Sequence, residues 1–97
     1  MTARHYATAY WSASRALQAR TYSKRRHDAF DVMFGLMCCG PSRIRPLARV
    51  ALLRFKLRTG GGPTISDMTG TYRLSADGRA AERIGAPIRG RWIRASL

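Results

Sequence analysis

Residues 28–41 read Asp28-Ala29-Phe30-Asp31-Val32-Met33-Phe34-Gly35-Leu36-Met37-Cys38-Cys39-Gly40-Pro41, a run free of lysine and arginine in a chain whose net charge is +13. Its ends read as helix punctuation. Asp28 is placed to cap the first backbone N–H groups, Asp31 stands three residues on as in a capping box, and Gly40-Pro41 is a stop signal. The expected element is a helix over about 29–39, roughly three turns long. Phe30, Val32, Met33, Phe34, Leu36, Met37, Cys38 and Cys39 leave almost no polar face, so this helix is expected to be buried in protein, in lipid or against a partner. Phe30, Val32, Met33, Phe34, Leu36 and Met37 are the candidate partner or membrane contacts.

Upstream, Ala3, Tyr6, Tyr10, Ala13 and Leu17 recur at alternating steps of three and four, the apolar stripe of a helix over about 3–20. Arg4 and Arg15 share a different face. The segment holds Arg, Ser, Thr and Ala but no acid, so it has two readings. One is an ordinary first helix packing on the apolar helix. The other is a mitochondrial transit peptide over 1–22, because Arg20-Thr21-Tyr22-Ser23 resembles a matrix-protease processing site. No secretory signal is expected, since no long apolar run follows a basic start near Met1.

Downstream, Pro41 to Pro46 is a connector. Leu47–Thr59 carries helix formers, cations near its end and a glycine stop, yet Leu53, Phe55 and Leu57 alternate with Arg54, Lys56 and Arg58 as in a strand. Length and capping favour a helix over about 46–58. Gly60-Gly61-Gly62-Pro63 reads as a flexible joint over 59–63, without the Lys-Ser/Thr of a phosphate loop. Beyond it, Tyr72 and Leu74 alternate with Thr71 and Arg73, Asp77-Gly78 is a hairpin signal, and Ile88 to Ile93 is a second candidate strand. The return strand is open, because Arg79 to Ile84 reads equally as a helical turn. The fold expected is α+β, a small single domain of two or three helices followed by a short β-hairpin at about 69–94. Its parts are a basic helical region (1–58), the joint, and a basic β-rich region (64–97) in the same domain or loosely attached.

Length allows one core and no more. Eighteen basic residues, sixteen of them arginine, against five acids favour polyanionic partners. They form a coat rather than a tail: six precede Asp28, six lie within 43–58 and six follow. The apolar helix is too short for a bilayer core, which needs about 20 residues, so no transmembrane span is expected. A basic-apolar-basic layout does suit the surface of an anionic membrane. Cys38 and Cys39 are adjacent and cannot pair without strain, so free buried thiols in a reducing compartment are expected. With His5 and His27 distant, neither a metal site nor another cofactor is indicated.

Catalysis has little to work with, since five carboxylates and two histidines offer one adjacent pair, His27-Asp28, which belongs to the helix cap. Binding has more. Arg89, Arg91, Trp92 and Arg94 interleave guanidinium groups with an indole, extended by Tyr72 and Arg73. Lys24, Arg25 and Arg26 form the densest basic cluster, and Arg54, Lys56 and Arg58 the basic face of the ambiguous element. The expectation is a non-enzymatic protein that binds nucleic acid, RNA favoured, or joins the other chains of a ribonucleoprotein. One alternative is an accessory protein docking its apolar helix on an anionic membrane or a partner. Another is a poorly folded chain without selected activity, whose arginines reflect genome composition.

Overall fold

The computed structural model describes residues 2–86. Three helices, α1 (Ala3–Leu17), α2 (Lys24–Cys39) and α3 (Ile44–Thr59), precede three strands, β1 (Thr64–Asp67), β2 (Gly70–Leu74) and β3 (Ala81–Gly85). The strands form one antiparallel sheet in the order β1-β2-β3. The expected α+β domain is therefore present. Its hairpin is β2–β3 around Asp77-Gly78, and the open stretch after Arg79 is strand, not helix. β1 went unpredicted, being only four residues long. The expected strand at Ile88 to Ile93 lies outside the described residues.

The helix starts show local chemistry at work. Ser23, not Asp28, caps α2: its hydroxyl accepts from the Arg26 backbone N–H at 3.1 Å. Asp28 and Asp31 sit inside the helix, with Asp31 3.7 Å from His27 one turn earlier. The basic run Lys24-Arg25-Arg26-His27 is thus helical, because arginine and lysine are good helix formers and the cap satisfies the first turn. The predicted stop is where α2 ends, with the Gly40 N–H donating to the Leu36 carbonyl at 3.0 Å. In α3 the period-two charges yield to the helix. Pro46 falls in its first turn, where a missing N–H costs nothing, and Gly60 closes it with φ 77°. Gly61 then returns its N–H to the Lys56 carbonyl at 2.7 Å, so the glycines following α3 are a helix-terminating turn.

The core gathers Ala13 and Leu17 of α1, Ala29, Met33, Leu36 and Met37 of α2, Ala48, Leu52 and Leu53 of α3, and Ile65 of β1. The stripe read along α1 does pack on α2, with Tyr6 and Tyr10 half-buried beside it. This chain by itself does not bury α2 all round. Val32 and Phe34 are 45% and 40% exposed, and both cysteines are at the surface. Two helix neighbours suffice for one face only: residues at steps of three and four turn inward and those between turn out.

Basic side chains fasten the sheet to α3. Arg49 Nε donates to Asp67 Oδ2 at 2.8 Å, and its guanidinium lies 4.3 Å from the Tyr72 ring centre. Arg54 donates twice to the Gly78 carbonyl, at 2.9 and 2.6 Å, and Lys56 Nζ reaches the Thr64 carbonyl. On the same last turns of α3, Arg58 Nη2 donates to the Leu17 carbonyl at 2.9 Å, satisfying one of the carbonyls that end α1.

Candidate nucleic-acid interface

A helix advances about 100° and 1.5 Å per residue, so Arg4, Thr8, Trp11 and Arg15 fall within about 60° of one another on α1, opposite Ala13 and Leu17. The face buried by the core therefore dictates the face left outside. Trp11 is 64% exposed. Its indole stands edge-on to Tyr10, centroids 5.4 Å apart at 72°, and Tyr10 is anchored against the core. Arg4, Ala7, Thr8, Trp11, Ser12 and Arg15, joined by Arg25 from the first turn of α2, line an open groove of about 700 Å³. Arg15 and Arg25 also line its continuation, of about 410 Å³, along Ser23, Gln18 and Ala19 of the α1–α2 connection.

No carboxylate lines this groove. α1 has no acid in its sequence, and Arg4, Arg15 and Arg25 take part in none of the ion pairs among the described residues. Of the five acids, Asp31 pairs with His27, Asp67 with Arg49 and Glu82 with Arg73 at 3.8 Å, while Asp28 lines the adjoining pocket with Ser12 and Arg25. Asp77 is held in the β2–β3 turn by the Ser75 hydroxyl at 2.6 Å and the Arg79 N–H at 3.0 Å.

The residues expected from sequence to bind nucleic acid are distributed differently. Of the basic cluster, Arg25 faces the groove. Lys24 is exposed on the first turn of α2. Arg26 is turned inward, 5.3 Å from the Phe55 ring centre, and Nη1 donates to the Ala19 carbonyl. Arg54, Lys56 and Arg58 do not form one basic face, because each bonds a different backbone carbonyl. Tyr72 lies beneath Arg49, while Arg73 is exposed beside Glu82. Arg89, Arg91, Trp92 and Arg94 lie outside the described residues. Among the apolar candidates, Met33, Leu36 and Met37 are core, and Phe30 is half-buried between Phe34 and Phe55. Val32 and Phe34 remain at the surface, but two helical steps set them about 200° apart, on opposite flanks of α2.

Two groups depart from their ordinary acidity within the Arg49 cluster. Burial alone would raise the Asp67 carboxyl, but hydrogen bonds from Thr69 and Arg49 outweigh it and hold the group below its ordinary value. Partial burial pushes the Cys38 thiol up, and the charges of Cys39 and Asp67 add to this against Arg49. Cys38 is therefore a poorer source of thiolate than a free cysteine. Among the described residues no three His, Cys, Asp or Glu side chains are grouped to hold a metal ion, and no helix is long and apolar enough to cross a membrane.

Trp11 was not among the residues expected from sequence. The signal was there: Arg4 and Arg15 are eleven residues apart, and Trp11 stands seven and four from them, all on one helical face. Compared with known proteins, the chain matches no family model, no curated protein and no solved structure.

Proposed function

We propose that the protein binds nucleic acid, RNA or a ribonucleoprotein in preference, as a non-enzymatic partner. The observation that carries this is the α1–α2 groove, which Arg4, Arg15 and Arg25 line together and whose lining holds no carboxylate. Guanidinium groups match phosphate bidentately and are weakly hydrated, so such a cluster gains more from a phosphate backbone than from isolated anions. The overall charge supports the same reading, because it concentrates polyanions at the surface over several ångströms before contact. Arg89, Arg91 and Arg94 would add phosphate contacts from the C-terminal segment.

Fluorescence anisotropy with a labelled single-stranded RNA across a salt series tests it. Each phosphate contact contributes about 0.7 to the slope of log affinity against log salt. Replacing Arg4, Arg15 and Arg25 together with Ala should lower the slope by roughly 2 and weaken binding at every salt concentration. The triple change Arg89→Ala, Arg91→Ala, Arg94→Ala measures the second cluster in the same assay. Salt-independent binding, with neither triple variant weakened, overturns the proposal.

A further inference from the structure

Resting on the nucleic-acid reading above, we infer that the groove on α1 takes a single strand, with one unpaired base stacked on Trp11 and its flanking phosphates held by Arg15 on one side and Arg4 on the other. Three features carry it. First, Trp11 presents an exposed ring on a helix whose opposite face is fixed in the core, and Tyr10 braces the indole edge-on. An aromatic surface held in this way offers a base a stacking platform without first having to be ordered.

Second, the spacing fits a strand rather than a single anion. Along the axis Arg15 is about 6 Å and Arg4 about 10 Å from Trp11, on opposite sides. A single phosphate would engage one end of that stripe. A backbone running along the helix engages both, with Arg25 closing the groove from α2 and Ser12 supplying a hydroxyl.

Third, a duplex has no use for the indole. Its bases are already stacked and its phosphates form two outer ridges, whereas an unpaired base has a free π-face. The stacking surface is therefore what separates single-strand from duplex partners, and the arginines serve either.

The test uses the full chain carrying Trp92→Phe, so that Trp11 is the only indole. Titration with a ten-nucleotide single-stranded RNA should quench its emission, while the matching duplex at equal phosphate concentration should not. Trp11→Ala should weaken single-strand binding about ten-fold, Trp11→Phe should restore part of that loss, and duplex affinity should change less than two-fold. Unaltered single-strand affinity in Trp11→Ala, beside a clear loss in the Arg4, Arg15 and Arg25 variant, overturns the stacking inference and leaves phosphate binding intact. Equal loss on single strand and duplex overturns it too. A blue shift with phosphatidylglycerol vesicles and no response to RNA overturns both, and assigns the face to a membrane surface. Circular dichroism of each variant separates loss of binding from loss of fold.

Discussion

Arg49 and Asp67 meet at 2.8 Å, their side chains 12% and 3% exposed, and so join the middle of α3 to the end of β1. Asp67 also accepts from the Thr69 N–H at 2.7 Å, which places the β1–β2 turn in the same network. Removing either partner leaves the other part-buried without its counter-charge, with Thr69 as its remaining hydrogen-bond partner. Arg49→Ala or Asp67→Asn should cost about 2 kcal/mol or more, seen as a fall in thermal midpoint of roughly 8 °C or more.

The same carboxyl makes stability depend on acid. Its acidity is increased in the folded chain, so its contribution is complete above the unfolded value near 3.9 and is lost as pH falls through the lower folded value. Asp77, lowered by the Ser75 hydroxyl and then the Arg79 N–H, acts in the same direction. Denaturant midpoints should be flat through neutral pH and decline below about pH 4. In Asp67→Asn that decline should be shallower; an identical acid limb would show that the pair contributes nothing.

The helix cap separates two readings of α2. Ser23→Ala should destabilise by about 1 kcal/mol, since the Arg26 N–H loses its acceptor. Asp28→Ala, on an exposed position inside the helix, should stay within about 0.5 kcal/mol. The reverse order in urea melts would put the helix start at Asp28.

Glycines give predictions of opposite sign. Gly70 has φ 143°, and a Cβ there would stand 2.6 Å from the Gly85 carbonyl oxygen, so Gly70→Ala forces β2 and β3 apart. A loss of about 2 kcal/mol or more is expected. Gly35 lies in the middle of α2 with open space around it, and Gly35→Ala should add about 0.5–1 kcal/mol through helix propensity.

Leu17 is 2% exposed and Ala13 4%, so α1 supplies one wall of the core. Leu17→Ala should cost about 2–5 kcal/mol. A chain starting at Ser23 should lose its cooperative melt, because the core would lose Ala13 and Leu17 and α2 the helix packed on it. A sharp thermal transition in that shortened chain would show that α1 is dispensable to the fold, as removal of a transit peptide requires.

Much of this architecture is legible because the signals are local. The three-and-four spacing of Tyr6, Tyr10, Ala13 and Leu17 marks the buried face of α1 wherever its neighbours lie, and Gly40-Pro41 ends α2 through backbone geometry alone. Asp77-Gly78 likewise turns the β2–β3 hairpin, with Gly78 at φ 73°. The arginines are different, since their composition predicts a polyanion partner but not which of them are free to meet it. Arg54, Lys56 and Arg58 read alike along the chain, yet they bond Gly78, Thr64 and Leu17, residues up to 41 positions away. Long flexible side chains take whichever acceptor the packing brings near. The three helices and the turn at Asp77-Gly78 thus belong to the sequence by itself; only the tertiary structure decided that Thr64–Asp67 and Ala81–Gly85 are strands, and that Arg49 and Arg58 serve the fold while Arg4, Arg15 and Arg25 line the groove with Trp11, because pairing and burial depend on neighbours that no local pattern contains.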